Sequence, residues 1–213
     1  MPYELHPSAC LRTPFEHRQF QGAAPCLARF LFVGLDANYA PDIEGHPIFP
    51  RVVEYHEDGP GFWRRHGVHH PFLLPGYGGD GRFYHRTFAS IGFQAAHASD
   101  VSFAELLAVP TVGTSQLEPC DLEAGHLEWL NALIKDGPCE HVFISPKVAS
   151  LMRASRRFPW MPKRELLGDG PLDYYYRVPG KTVHAHLHFS SYGKCSAKKA
   201  AQLEVMRQFV SAA

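Results

Sequence analysis

An aspartate and a histidine, far apart in the chain, each follow a segment that is typical of a buried strand. Asp36 comes directly after the apolar run 29–35, and His188 closes the alternating segment 181–188. When such strands are parallel, their carboxyl ends open onto one crevice. A carboxylate and an imidazole in that crevice could activate a water molecule and stabilise a developing anion. The two residues therefore predict a site built from both ends of the chain.

The elements that must position these residues follow from hydrophobic periodicity. Short apolar or alternating runs predict strands at 29–35, 98–103, 141–144 and 181–188. Helical spacing predicts helices at about 47–56, 83–91, 121–135, 146–154 and 196–210. Strands that alternate with helices are typical of a parallel sheet covered on both faces. We therefore expect a three-layer α/β fold, with a central, mainly parallel four-stranded sheet and helices on both faces.

Length and composition limit the number of domains and the class of protein. The 213 residues suit one domain, so we expect a single domain over 1–213, with 1–28 as an N-terminal extension that packs on it. With 45% apolar and 20% charged residues, the sequence is not that of a disordered chain. No apolar run reaches the roughly 20 residues of a membrane span, and the N-terminus has no features of a secretory signal. We expect a cytoplasmic monomer without a membrane partner.

Short motifs stand at both strand ends. The first strand ends in Gly34-Leu35-Asp36 and a polar aromatic turn through Tyr39, and the last ends in His-Phe-Ser-Ser-Tyr at 188–192. Together they resemble the two signature motifs of the uracil-DNA glycosylase superfamily, which read G-Q-D-P-Y-H and H-P-S-P-L-S in its best-known branch. The resemblance covers most of residues 29–210. In this chain Ala37 and Asn38 replace the proline and tyrosine of the first motif.

The resemblance implies a base-excision repair reaction. Such a protein flips uracil, or another deaminated or damaged base, out of DNA and hydrolyses its N-glycosidic bond without a cofactor or metal ion. Asp36 would orient the attacking water and stabilise the positive charge that develops on the sugar. His188 would hydrogen-bond the negative charge that develops on the base. These two residues are the expected catalytic pair.

The resemblance also implies residues that hold the base. Phe49 follows the aspartate at the spacing of the phenylalanine that stacks on the flipped base in that branch. Ser102 lies on the strand that supplies a base-reading asparagine in the relatives, although a hydroxyl cannot make the paired contacts of an amide. The expected base-binding residues are Gly34, Leu35, Tyr39, Phe49 and Ser102.

A formal charge of zero conceals a separation of charge along the chain. Residues 1–140 hold 9 Lys/Arg and 17 Asp/Glu, a net charge of −8, whereas residues 141–213 hold 12 and 4, a net charge of +8. The basic segment contains the histidine motif, with Tyr192 at the position of a leucine that wedges into the duplex in that branch. Basic residues beside such a motif favour DNA as the partner. The expected DNA-binding residues are Ser190, Ser191, Tyr192, Lys194, Lys198, Arg156 and Arg157.

Two other functions stay open. The altered first motif and the serine in place of asparagine are compatible with a nucleic-acid-binding member of the fold that has lost catalysis. His184, His186 and His188 recur with period two, so in a strand they would share one face and could bind zinc in a metal-dependent hydrolase. Residues 58–81 hold seven of the 18 glycines, and we expect them to form a long loop that covers the site.

Overall fold

The computed structural model describes residues 3–113 and 116–212. Residues 1, 2, 114, 115 and 213 lie outside the described ranges. The strands in chain order are β1 (Glu4–Leu5), β2 (Phe20–Gly22), β3 (Phe30–Gly34), β4 (Asn38–Tyr39), β5 (Val101–Glu105), β6 (Thr111–Val112), β7 (His141–Ile144), β8 (Asp173–Val178) and β9 (Lys181–Ala185). The α-helices are α1 (Ala9–His17), α2 (Phe49–Glu57), α3 (Gly59–His66), α4 (Arg82–Ala89), α5 (Ala124–Asp136), α6 (Pro146–Ser155) and α7 (Ser196–Ser211).

The main sheet has the strand order β2-β5-β3-β7-β9-β8 within the described part of the chain. Its four central strands, β5, β3, β7 and β9, are parallel, which is the mainly parallel arrangement expected from the sequence. The predicted number of strands is wrong, because β2 and β8 add antiparallel edges. Apolar periodicity missed both edges: β2 is only three residues long, and β8 reads Asp-Tyr-Tyr-Tyr-Arg-Val, in which a single residue is buried.

Alternating residues of the main sheet enter two separate apolar cores. Leu31 and Val33 of β3 belong to a core that includes side chains of α5 and α6. Phe30 and Phe32 belong to a second core, which includes side chains of α3, α4 and α7. Successive side chains of a strand point to opposite faces, so the two cores lie on opposite faces of the sheet. The result is the expected three-layer arrangement of helices, sheet and helices.

The segment 58–81 is not the continuous loop that its glycines suggest. It contains α3, whose first turn is capped by Asp58, with Oδ1 accepting a hydrogen bond from the amide of Gly61 at 2.8 Å. Proline is well tolerated in the first turn of a helix, where its missing N–H would have no helical partner. Phe62 and Trp63, on the inner face of this helix, are almost fully buried.

A second, small sheet holds the chain just after β3. Its strand order is β1-β6-β4, and it pairs Asn38 with Thr111 and Glu4 with Val112. Leu11 and Phe15 of α1 share a third apolar cluster with Tyr39 of β4. The N-terminal residues therefore support the segment that follows Asp36. No helix among the described residues is both long and apolar enough to span a bilayer.

Candidate functional site

A cavity of about 310 Å³ lies beyond the carboxyl ends of the four parallel strands. Each central strand, or the segment that follows it directly, contributes to the wall: residues 32–39 from the end of β3 onward, Phe103 and Glu105 of β5, Ser145 and Lys147 after β7, and His186 and His188 after β9. This is where open parallel sheets bind ligands, because neighbouring loops separate at the strand ends. Of the residues selected from the sequence, those that line the cavity are Gly34, Leu35, Asp36, Tyr39, His188 and Ser190.

Asp36 is oriented by the small sheet. The hydroxyl of Thr111 donates a hydrogen bond to its Oδ2. Thr111 lies in β6, which pairs with β4 directly downstream of Asp36, so the backbone register of these strands fixes the donor and the carboxylate together. Asp36 is half-buried and lines the cavity. A carboxylate held in one orientation at a water-accessible wall can position a nucleophilic water.

His188 is held as a neutral imidazole with a defined tautomer. The amide of Ser190 donates to its Nδ1 at 3.2 Å, so the neutral ring carries its proton on Nε2. Partial loss of water around the ring, together with the positive charges of Lys147 and Lys199, lowers the pKa of His188. The ring packs against Tyr84, with 5.3 Å between ring centroids. His188 therefore presents a neutral N–H donor, suited to an oxygen on which negative charge develops.

The start of α6 forms a third part of the wall, which sequence reasoning missed. Ser145 precedes the helix and Lys147 lies in its first turn, and both line the cavity. The N-terminal end of a helix attracts anions through its amides and its dipole. The strand-end rule that selected Asp36 could also have selected these residues, since they follow β7 directly.

Glu105, and not the predicted Ser102, is the residue whose polar side chain reaches the cavity from β5. It ends β5 directly opposite Gly34, and its side chain lines the cavity. Ser102 is fully buried beside Leu31, on the α5 and α6 face of the sheet, and does not line the cavity. The prediction ended the strand at Phe103, two residues early. The period-two series Val101, Phe103, Glu105 was the signal that could have found the carboxyl group.

The carboxyl group of Glu105 lies directly over the backbone of Gly34. A Cβ atom at position 34 would overlap Glu105 Oε2 and lie 2.8 Å from its Cδ. That Oε2 is shielded from water and accepts no hydrogen bond from any described residue. Burial and the negative charge of Asp36 raise the pKa of Glu105 well above its usual range. Both effects favour the protonated form of this carboxyl group.

Aromatic rings form the remaining wall, but Phe49 is not among them. Phe49 begins α2 and packs, half-buried, against the cluster that contains Leu11 and Phe15. Tyr39 does line the cavity, and its hydroxyl lies 2.6 Å from Nε2 of the buried His56. The other rings that line the cavity are Phe32, Tyr55, Phe72, Tyr84 and Phe103. Such rings offer flat apolar surfaces for a heterocycle.

His184 and His186 both contact Phe143, at 4.9 and 6.2 Å between ring centroids, so these two share a face as their spacing predicts, but they do not converge with His188 on one point. β9 ends at Ala185, and His184 Nε2 lies 3.0 Å from Nδ1 of His141, outside the cavity. His186 does line the cavity, and burial lowers its pKa to about 4. Within residues 3–113 and 116–212, no group of three or more His, Cys, Asp or Glu side chains is arranged to hold a metal ion.

Two further histidines reach the cavity from the segment predicted to be a loop and from α4. The rings of His70 and His85 stack with 3.5 Å between centroids and 6° between planes. Burial lowers the pKa of His85 to about 3, and burial followed by the charge of His85 lowers the pKa of His70 well below its usual range. Both rings are neutral at neutral pH, and they add a flat wall to the cavity.

The residues expected to bind DNA lie in two separate places. Tyr192 is 83% exposed and Lys194 and Lys198 are exposed; the first two lie on the chain that links the cavity to α7, and Lys198 lies in the first turn of α7. We call Ser190, Ser191, Tyr192, Lys194 and Lys198 the rim. Lys199 anchors the rim, because its Nζ donates to the carbonyls of Phe189, at 3.1 Å, and Ser191.

Arg156 and Arg157 do not belong to the rim. They follow the C-terminal end of α6, whose ten residues carry the chain about 15 Å from the cavity at the usual helical rise. Arg157 is also paired with Glu128, at 2.6 Å. The arginines and the lysines share the basic segment 141–213, which predicts one common surface. The direction of α6 separates the two sets.

Comparison with known proteins adds no relative: the sequence matches no protein-family model, and no curated protein matches it. The fold and the cavity alone define the class. The protein is a three-layer α/β protein with a polar, aromatic-walled cavity at the carboxyl ends of four parallel strands.

Proposed function

We propose that the protein is a DNA glycosylase that flips uracil or another deaminated base out of DNA and hydrolyses its N-glycosidic bond. One observation carries the proposal. The residues of both motifs, Asp36 near the start of the chain and His188 near its end, line the same cavity. Their chemistry is the pair that this reaction needs, a carboxylate facing a neutral imidazole donor.

The cavity suits one base. A volume of about 310 Å³ is at the lower end of the range for small-molecule sites. An extruded base needs apolar faces above and below its ring, and Phe72, Tyr84 and Phe103 offer such faces here. In this proposal these rings, and not Phe49, are the surfaces that stack on the base.

The two catalytic side chains divide the charge of the transition state. As the bond between C1′ and the base nitrogen breaks, positive charge grows on the sugar and negative charge grows on the base. Asp36 stabilises the first charge and directs a water molecule to C1′. His188 donates its Nε2 proton as a hydrogen bond to a base oxygen. Lys147 and the N-terminal end of α6 favour the same negative charge.

The rim supports DNA as the partner. Tyr192 exposes its large ring shortly after Ser190, which lines the cavity, and from such a position a ring can fill the space that a flipped base leaves in the duplex. Lys194 and Lys198 stand beside it, at the start of α7, where lysines can neutralise phosphates. Lys198 also forms an ion pair with Asp173 at 3.6 Å, which fixes part of its position.

A panel of damaged oligonucleotides tests the proposal. Duplexes and single strands that carry one uracil, hypoxanthine or xanthine are incubated with the protein, and abasic sites are then cleaved with alkali. We expect strand breaks at the deaminated base, lost in Asp36→Asn and strongly reduced in His188→Ala. The matched controls Asp136→Asn and His17→Ala, both exposed and outside the cavity, should cleave like the wild type.

The same panel separates the other candidate functions. Salt-sensitive DNA binding without abasic product would favour a nucleic-acid-binding protein that has lost catalysis. Hydrolysis of another substrate that a chelator abolishes would favour a metal-dependent hydrolase. Either result contradicts the glycosylase proposal.

A further inference from the structure

We propose that Glu105 is a further catalytic residue, a neutral carboxylic acid that protonates the base as it leaves. The proposal rests on the glycosylase function and deepens it. Three geometric features support it: the side chain lines the cavity at the end of β5, Gly34 leaves space for the carboxyl group, and Oε2 has no hydrogen-bond partner among the described residues. A buried oxygen without a partner is costly, and a bound base could supply the missing partner.

The surroundings keep Glu105 protonated. The charged group that acts on it is Asp36, after β3. Tyr39 in β4, Tyr55 in α2 and Tyr84 in α4 lie close enough for the charge of an ionised Glu105 to raise their pKa values, while His126 in α5 lies 2.8 Å from its backbone carbonyl through Nε2. Burial raises the pKa of Tyr39, Tyr55 and Tyr84, so these three phenols are neutral at neutral pH. The negative charge of Asp36 disfavours a second carboxylate in the same cavity.

The remaining titratable groups of the cavity are Lys147, His70, His85, His186 and His188. The pKa of each of these histidines is lowered, by burial first of all, so they are neutral bases near neutral pH. Glu105 is thus the carboxyl group of the cavity that holds a proton, while Asp36 accepts a hydrogen bond from Thr111 as a carboxylate should. When the surroundings of two carboxyl groups keep one protonated and the other ionised, the first can act as an acid and the second as a base.

The reaction balances with these groups alone. The oxygen of water forms a bond to C1′, and the bond from C1′ to the base nitrogen breaks with its electron pair going to the base. A proton of the water passes to Asp36. The proton of Glu105 passes to a ring nitrogen or carbonyl oxygen of the base. The products are a neutral base and an abasic sugar, and proton exchange with solvent returns Asp36 to a carboxylate and Glu105 to an acid.

An acid at this position widens the class of bases that can leave. A base that is stable as an anion needs only a hydrogen-bond donor, which His188 supplies. Hypoxanthine carries two ring nitrogens, N3 and N7, whose lone pairs can accept a proton as the bond breaks, whereas uracil offers only carbonyl oxygens, so hypoxanthine gains more from proton transfer. We therefore assign deaminated purines, and hypoxanthine above all, as the substrates for which Glu105 matters most.

Single-turnover release of hypoxanthine and of uracil across pH, by the wild type and Glu105→Gln, tests this assignment. The amide is isosteric and retains hydrogen bonding, but it cannot transfer a proton. For hypoxanthine we expect a loss of about 10²- to 10⁴-fold, which is the usual contribution of a general acid, and a smaller loss for uracil. The wild-type rate should fall as pH rises through the raised pKa of Glu105, and this descending limb should be missing in the variant.

Infrared difference spectroscopy of the full chain supplies a measurement that does not need activity. A protonated carboxyl band should be present at neutral pH, vanish as pH rises and be missing in Glu105→Gln. An ionised Glu105 at neutral pH, or wild-type rates and pH dependence in Glu105→Gln, would overturn the assignment. If the wild type releases no base at all, the glycosylase function and the acid role both fail, while the band still reports whether the cavity protonates Glu105.

Discussion

The inner wall of the cavity and the rim differ in the charge that their side chains carry. On the inner wall, burial raises the pKa of Glu105 and lowers the pKa of His85 and His186, and so favours the neutral form of each. On the rim, Tyr192, Lys194 and Lys198 are exposed. Electrostatic interactions are strong where water is excluded and weak where it is not. The proposed function assigns the chemistry to the inner wall and the contacts with DNA to the rim.

The two regions also differ in how they are fixed. Strand register sets the inner wall, since Gly34 lies opposite Glu105 and Asn38 lies opposite Thr111. The rim is a connecting segment, held mainly by the contacts of Lys199 with two carbonyls. Changes on the inner wall should therefore alter reaction rates, whereas changes on the rim should alter binding and its salt dependence.

The largest effect is expected from Asp36→Asn. The amide keeps the shape of the side chain but lacks the charge and the basicity by which, in the proposed mechanism, Asp36 stabilises the sugar cation and activates water. Base release should fall by about 10³-fold or more, with DNA affinity nearly unchanged. Single-turnover kinetics and a fluorescence binding assay measure the two quantities. A loss confined to DNA affinity would mean that Asp36 acts like a residue of the rim. The distinction between the inner wall and the rim would then be wrong.

Gly34→Ala should have the next largest effect. The added Cβ would overlap Glu105 Oε2, so the carboxyl group must turn away from its present position. We expect base release to fall by about 10²-fold and the high-pH limb of the rate profile to shift. Gly45→Ala is the matched control, since its added Cβ meets no atom within 4 Å.

The double variant Gly34→Ala with Glu105→Gln decides how Gly34 acts. If the glycine serves only to place the carboxyl group, the double variant should lose little beyond Glu105→Gln alone. Fully additive losses would instead mean that Gly34 affects the site without Glu105.

Stability should change with pH through the same residue. Because burial raises the pKa of Glu105 above its unfolded value, its contribution to folding is fully present below the unfolded pKa and is lost as pH rises through the folded pKa. Glu105→Gln should therefore gain stability relative to the wild type as pH increases. Urea unfolding over a pH series measures this. A constant stability difference across the series would contradict the inferred protonation.

Particular residues show how far the sequence predicts the site. Asp36 and His188 could be found because both follow segments whose periodicity is clear, and strand ends gather in parallel sheets. Glu105 is harder to find, because Leu106 and Leu107 follow it and hide the end of the strand, and only the period-two series through Phe103 points to it. Lys147 was missed for a different reason: a lysine in a first helical turn is usually solvated, and only the packing of α6 directs it to the cavity.

The fold was predictable to a similar degree. Alternation of strands and helices gave the parallel core, since that pattern depends on burial, which is readable from residue type. Edge strands such as β8 carry a weaker pattern, because their outer side meets water. The helix α3 was obscured by Gly59, Pro60 and Gly61, which suggest a loop although proline in particular suits a first helical turn.

On the rim, Tyr192→Ala should have a moderate effect. Without the ring, the space left by a flipped base stays empty, and restacking competes with extrusion. Base release from duplex DNA should fall by about tenfold, with a much smaller loss on single strands, where little stacking must be broken. Leu27→Ala is the matched control: Leu27 is 76% exposed and precedes β3, at the amino edge of the sheet. Equal losses on duplex and single-stranded DNA would mean that Tyr192 does not act as a wedge.

The smallest effects should come from the lysines of the rim, and they separate the rim from the far end of α6. Lys194→Gln and Lys198→Gln should each lower the slope of log affinity against log salt by about one, since each lysine releases counterions from one phosphate. Arg156→Gln should leave the slope unchanged, because ten residues of helix separate Arg156 from the cavity. Affinity titrations at several salt concentrations measure the slopes. If Arg156→Gln changed the slope as much as Lys194→Gln, the DNA path would extend along α6, and binding would not be confined to the rim.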